Sequence, residues 1–340
     1  MSAAKLPMLV RNSVIFCMFS STSFVHGYVL IYLIYWLLGQ LQYGGYIFMA
    51  LLAAYGAVMM SGAERHGKNY WAWFTNSLVT RSALEYFDSS ILGVEGLAAV
   101  KDDRILLGLH PHGIYPMAGV LLYAGASPLR AAAPWLRIRP GAATVLFRVP
   151  LIREYMVWTG HIDAGRRTLQ KHMAKGESDV ALAIGGEKEA LLTTNGREAI
   201  LLKERTGFVQ LACQHGYHLV PTYAFGQNEL YTVNTTLLAG VRAALQRSLK
   251  LAFPVFWGVW GTPMPHPVKI TLAFGKPIRV PKPTTPGAEP EPALVERLHA
   301  EYVAEVQALF ERHKATAGYA DRKLEVLAVS EAKQWKAKAS

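Results

Sequence analysis

Charge is what this sequence is short of. Only 17% of its 340 residues are charged, while 51% are hydrophobic; an ordinary soluble chain has about 25% charged. That balance excludes a disordered chain or a coiled coil and points to partial residence in a membrane. The shortage is local: between Asn12 and Ala63 there is no Asp, Glu, Lys or Arg. Cysteine is as scarce. Cys17 and Cys213 alone exclude a disulfide framework and a cysteine-based zinc site, and they fit a reducing compartment. There is no Gly-x-Ser-x-Gly elbow, no Walker A loop and no Gly-x-Gly-x-x-Gly turn. A common serine hydrolase and the usual nucleotide-binding folds lose their signatures. Cys213 sits in an amphipathic stretch and reads as packing rather than as a nucleophile.

Within the uncharged segment two apolar runs stand out, Phe24–Leu38 and Tyr46–Met60, separated by a glycine-rich turn. A spanning helix needs about 20 apolar residues. Each run is slightly short, and the first lengthens back through Val14–Phe19. A membrane hairpin is the expected arrangement. Tyr28, Tyr32, Tyr35, Trp36, Tyr43 and Tyr46 gather near the turn as an interfacial belt would. Lys5 and Arg11 flank one end, Arg65 and Lys68 the other, which places both ends in the cytosol. A cleaved signal peptide and a buried soluble hairpin are the competing readings.

The net charge is +11, and nearly all of it falls after residue 100. A basic body beside a bilayer is drawn to anionic headgroups and to acidic substrates. No recognition motif or Arg/Lys stripe supports nucleic acid as a partner.

From Lys101 onward the pattern alternates. Arg104–Leu109, Asp179–Ile184, Ala199–Leu202 and His218–Phe225 read as buried strands, with Ala142–Arg148 a further one and Lys269–Phe274 an edge strand. Ile114–Ala124, Ile152–Trp158, Arg166–Lys175, Gly207–His215 and Ala293–Lys314 read as helices. Strands alternating with helices predict an α/β sheet flanked by helices, preceded by the N-terminal helical hairpin. The expected division is 1–63 as membrane hairpin, 64–100 as interfacial linker, 101–316 as catalytic domain and 317–340 as a basic tail.

Chemistry concentrates at strand ends. His110-Pro111-His112-Gly113 follows a strand and precedes the expected helix, at the edge where α/β folds place active sites. A neutral imidazole there takes a proton from an alcohol near pH 7, and helix N-terminal amides at Gly113 and Ile114 would hold an oxyanion. Structural histidines in a turn, or a His-x-His metal pair in a membrane-bound hydrolase, are the other readings. Gly185-Gly186 with Glu187 and Glu189 follows another strand; the glycines admit a ligand, and the carboxylates orient a histidine or bind a hydroxyl, unless this is an ordinary charged turn.

These blocks together resemble the type-2 diacylglycerol acyltransferase family, which includes monoacylglycerol and wax-alcohol acyltransferases. His110–Gly113 matches its signature. Residues 150–160 with Arg166, residues 184–196 with Glu189 on the family's glutamate, and residues 205–231 match its next blocks. Residues 274–278 and 299–314 match the C-terminal ones. Departures exist. Gln227 stands where the family usually has Glu, and Asp88 replaces a proline after Tyr86-Phe87. No Asp follows either histidine at the spacing of related glycerolipid enzymes: Tyr115 and Met117 occupy those places.

The resemblance implies an enzyme of the endoplasmic reticulum membrane, and of lipid droplets, with a cytosolic catalytic domain. It would transfer an acyl group from acyl-CoA to diacylglycerol without a cofactor or an acyl-enzyme; monoacylglycerol or a long-chain alcohol is the alternative acceptor. His112 would be the base, His110 its neighbour and Glu189 the orienting carboxylate. Arg148, Arg153 and Arg166 would meet the phosphates of CoA. Pro111, Glu154, Tyr155, Gly185, Gly186, Phe225, Gly226 and Asn228 complete the expected substrate-binding set. A non-catalytic membrane scaffold remains a third class.

Overall fold

The computed structural model describes residues 5–22, 24–67, 69–234 and 255–337. Ser23, Lys68 of the flanking basic pair, and Thr235 and Thr236 of an Asn-x-Thr sequon lie outside them. The protein is an α/β fold built on a seven-stranded sheet. Its strands are β1 (Ser90–Leu92), β2 (Ile105–His110), β3 (Ile138–Ala142), β4 (Ile162–Asp163), β5 (Asp179–Ala183), β7 (His218–Phe225) and β10 (Thr271–Phe274). The spatial order is β1-β10-β7-β2-β5-β3-β4. The five strands from β7 to β4 run parallel, and β10 meets β7 antiparallel. β6 (Glu198–Leu201) pairs with β11 (Leu324–Leu327), and β8 (Thr232–Asn234) with β9 (Val255–Trp257), as two small ribbons.

Strand β2 is central and buried along its whole length. Its side chains alternate. Ile105, Leu107 and Leu109 enter one hydrophobic layer, which also takes Ala83 and Leu84 from the Leu78–Tyr86 helix. Leu106 enters the opposite layer, beneath the Gly207–His215 and Pro292–His313 helices. Gly108 faces that second layer because a Cβ there would stand 1.8 Å from the Tyr302 hydroxyl. His110 follows in the same phase. The Pro292–His313 helix packs Val295, Leu298, Tyr302, Val306 and Leu309 inward at a spacing of three and four, the stripe of a helix lying on a sheet.

Several boundaries differ from expectation. Lys269–Phe274 alternates like an edge strand, yet β10 is interior, because β1 covers it from a segment expected to be a linker. Residues 64–100 also bury Leu97 and Val100, so they belong to the domain. The strand expected at Ala142–Arg148 ends at Ala142, and Thr144–Arg148 is a 3-10 turn. The segment from 317 holds β11 and the buried Trp335, whose ring lies under the Arg197 guanidinium at 4.0 Å. It is packed rather than trailing.

At the N-terminus are α1 (Met8–Thr22), α2 (Phe24–Leu38) and α3 (Gly44–Met60). Among the described residues one helix, Gly44–Arg65, is long and apolar enough to cross a bilayer; Met8–Phe19 and Val29–Leu38 are shorter apolar helices. Ile15 and Phe19 of α1 are buried in the domain's first core layer, so this segment packs on protein instead of extending the second helix into lipid. By contrast α3 leaves Tyr46, Met49, Leu51 and Met60 exposed.

The foot of α3 is tied to the Ile152–Trp158 helix by a polar cluster. Arg153 is only 2% exposed. It reaches Glu154 at 3.2 Å, the Ser61 hydroxyl at 3.0 Å and Glu64 at 3.5 Å. Glu154 also accepts from the Tyr55 hydroxyl at 2.6 Å and from the Leu151 amide at 3.0 Å. Removing the cation leaves two carboxylates facing each other in a confined space. Arg153→Met is expected to lose about 3–5 kcal/mol, seen as a lower unfolding temperature of the detergent-solubilised protein. An unchanged temperature would remove this cluster from the account.

Candidate active site

Strand β2 delivers His110 to the sheet's C-terminal edge, and a cis bond joins His110 to Pro111. The two histidines have different fates. His110 is completely buried. The Tyr302 hydroxyl donates to the Gly108 carbonyl at 3.3 Å and so accepts from His110 Nε2 at 3.1 Å. Burial drives the His110 pKa down to about 3, which keeps the ring neutral. Its Nδ1 has no partner.

His112 lies beyond the strand and is partly exposed. Its Nδ1 is 2.7 Å from the Gly113 carbonyl. A carbonyl only accepts, so Nδ1 carries the hydrogen and Nε2 bears the lone pair. Nε2 has no partner among the described residues. Burial holds this pKa below the ordinary histidine value, partly offset by the bond to Gly113 and by the charge of Glu187. The ring is therefore a neutral base at pH 7 with one basic nitrogen free.

Glu189 was expected to orient that ring. It holds the backbone instead. One oxygen accepts from the His112 amide at 2.6 Å, and the other from the Leu201 amide of β6 at 2.7 Å. The carboxylate is buried, which raises its pKa to about 7 against the pull of the two amides and of Arg205. Gly185 is required for this arrangement, since a Cβ there would fall 2.0 Å from a Glu189 oxygen. Gly186 takes a φ of +59° with open space where a side chain would be. The carboxylate whose charge reaches the imidazole is Glu187, exposed on the same short helix.

Residues Ile114–Pro116 are not helical. The turn that follows begins at Met117, so the amides of Gly113 and Ile114 are not a helix N-terminus. They nevertheless donate to no group among the described residues, and Gly113 takes a φ of +64°. Consecutive free amides beside a left-handed residue form an anion-binding concavity by themselves. This loop is clamped by Gln227. Its amide nitrogen donates to the Tyr115 carbonyl at 2.5 Å, and its oxygen accepts from the Ala118 amide at 3.0 Å.

The other expected residues scatter. Arg153 and Glu154 are consumed by the cluster at α3, so Arg153 is not free for a phosphate. The Tyr155 hydroxyl bonds Tyr123. Phe225 is core, stacked on Phe310. Asn228 is buried with its amide on Glu198 at 2.8 Å, and Gly226 is held by its φ of +89° against the Lys269 carbonyl. Arg148 is exposed. Arg166 is exposed and meets only Glu289, at 3.7 Å. Sequence reading missed Gln227's clamp although it marked the position as unusual. Tyr302 read only as a core residue of its helix, and its partner lies 192 positions away.

The diacylglycerol acyltransferase pattern matches residues 41–327. The chain belongs to the diacylglycerol acyltransferase family. It is similar to diacylglycerol O-acyltransferase 2 of Mus musculus, 31% identical over 262 residues, which is 72% of this chain and 65% of that protein. The same holds for 2-acylglycerol O-acyltransferase 3 of Homo sapiens, 30% identical over 264 residues, 72% and 74% of the two chains. In this member of the acyltransferase family the Gln227 clamp needs both a donor and an acceptor, and a carboxylate supplies only acceptors. Gln227→Glu is expected to cost about 1–3 kcal/mol and to lower the urea midpoint. A midpoint equal to wild type would show that the loop does not depend on the clamp.

Proposed function

We propose that this protein is an acyl-CoA-dependent O-acyltransferase that esterifies diacylglycerol to triacylglycerol. The observation that carries the reading is the free, basic Nε2 of His112, set by the Nδ1 bond to Gly113 at the edge of the sheet. Nε2 removes the proton from the acceptor hydroxyl as the oxygen attacks the thioester carbonyl. The amides of Gly113 and Ile114 stabilise the negative oxygen of the tetrahedral intermediate. The carbon–sulfur bond then breaks, and the proton on Nε2 passes to the leaving CoA thiolate. No acyl-enzyme forms and no cofactor takes part. His110, locked under Tyr302, keeps the loop in place rather than handling the proton.

The acceptor rests on the family. Its relatives include proteins named for diacylglycerol and for 2-acylglycerol, so monoacylglycerol is the nearest alternative and a long-chain alcohol the next. The metal-hydrolase reading has less support. His110 is turned under Tyr302, and among the described residues no group of three or more His, Cys, Asp or Glu side chains converges on a common point. We place the enzyme in the endoplasmic reticulum membrane with its catalytic domain in the cytosol, and at lipid droplets, on the strength of the apolar α3 and the family. Acceptor and product are too apolar for water, so lateral delivery from lipid suits both.

The test is acyl transfer by microsomes carrying wild type or His112→Ala, with labelled oleoyl-CoA and diacylglycerol, monoacylglycerol or hexadecanol, with and without EDTA. Label is expected in triacylglycerol, resistant to EDTA, and reduced about 10²–10⁴-fold in the variant. Because the His112 pKa is lowered and the neutral ring is the active form, kcat/KM is expected to hold level across neutral pH and to fall only on acidification below the ordinary histidine range. Equal transfer by the variant, in well-expressed protein, would dismiss the base.

A further inference from the structure

An open cavity lies away from His112. It has a volume of about 910 Å³ and runs along the Arg166–Met173 helix, from Gly165 at its start to Lys175 past its end. Arg65, Arg166, Arg167, Lys171 and Lys175 line it, against one carboxylate, Asp163. That carboxylate is already occupied by Thr144, Thr168 and the Gly165 amide. Arg167, Lys171 and Lys175 form no ion pair among the described residues. Arg65 meets Glu64 and Arg166 meets Glu289, each at 3.7 Å, so Arg167, Lys171 and Lys175 are the unpaired cations lining a volume that suits a ligand.

Its position relative to the site follows from register. Leu109 of β2 pairs with Ala183 of β5, and Ala142 of β3 pairs with Asp163 of β4. All four strands are parallel, so the lining residues Gly165 and Arg166, which follow β4, lie at the sheet edge that carries His112. Three strand spacings separate β2 from β4, about 14 Å. A pantetheine arm is about as long as four residues of extended chain, also about 14 Å. At its far end CoA carries a pyrophosphate and a 3′-phosphate, about −4 in total.

We infer that this cavity binds the 3′-phosphoadenosine diphosphate end of the CoA donor while the thioester reaches His112. The inference rests on the acyltransferase reading for the identity of its ligand. Arg166 and Arg167 lie at the start of the helix for the pyrophosphate, and Lys171 and Lys175 farther along it for the 3′-phosphate. Arg65 ends the segment that leaves α3, so the donor's head lies beside the membrane surface while its acyl chain points towards lipid. Of the basic residues expected to meet CoA this keeps Arg166, and it replaces Arg153, which the fold buries, with Arg65, Arg167, Lys171 and Lys175.

The test uses full-length protein in detergent and two double variants. Arg167→Ala with Lys171→Ala removes two lining charges; Lys269→Ala with Lys282→Ala removes two charges elsewhere. Binding of free CoA and of adenosine 3′,5′-bisphosphate is measured directly, with no turnover required. The cavity variant is expected to bind both at least about tenfold more weakly and to show a raised KM for oleoyl-CoA at unchanged kcat, while the control matches wild type. Unchanged CoA binding in the cavity variant would overturn the inference. If that variant instead loses retention on vesicles containing phosphatidylserine, the cavity takes a lipid phosphate; if nothing changes, these are solvated charges. Should wild type bind CoA through these residues yet transfer no acyl group, the function assignment fails and the phosphate site stands.

Discussion

The candidate site depends on one buried carboxylate. Glu189 joins the amide of His112 to the amide of Leu201, and thereby fastens the loop after β2 to β6. A carboxylate out of water is costly, and its pKa near 7 records that cost. The two amides offset part of it. From β6 the connection continues to β11 and the buried Trp335, so the segment from 317 helps to hold the loop that carries His112. On the other side Gln227 grips Tyr115 and Ala118, and Tyr302 fills the space that Gly108 leaves beneath His110. In this frame the Nε2 of His112 is left uncommitted on a partly exposed ring, whereas the unpartnered Nδ1 of His110 is fully buried.

The same economy joins the domain to its apolar helix. Arg153, Glu154 and Glu64 form a closed cluster at the foot of α3, and Tyr55 reaches into it from within the helix. The cluster fixes the height of the domain against the helix. Ile15 and Phe19 of α1 reinforce this by burying in the core, so the N-terminal segment is part of the fold that presents the site.

Much of the architecture was legible in the sequence because burial and periodicity are local. Ile152–Trp158, Gly207–His215 and His218–Phe225 stand where periodicity put them. The two-residue β4 and three-residue β1 were not, since so few positions carry no pattern. β10 was misjudged as an edge because alternation reports burial on two faces and says nothing of lateral neighbours. For the site, the motif located the histidines but not their partners. Arg153 looked like a phosphate ligand and is an internal ion pair whose acid, Glu64, is 89 positions away. Glu189 was found as the right carboxylate for a different bond. Side-chain direction at a loop is set by tertiary contacts, and the linear spacing does not contain it.

The central claim is that Glu189 acts through the backbone while Glu187 sets the charge at the ring. The most direct measurement is the pH dependence of kcat/KM for Glu187→Gln and Glu189→Gln beside wild type. The account predicts that Glu187→Gln moves the acid limb to lower pH at little cost in the plateau. Glu189→Gln is predicted to lower the plateau with the limb in place, because the loop loosens and the ring keeps its environment. A Glu189→Gln profile displaced along the pH axis, with Glu187→Gln unmoved, would contradict it and make Glu189 the partner of the imidazole.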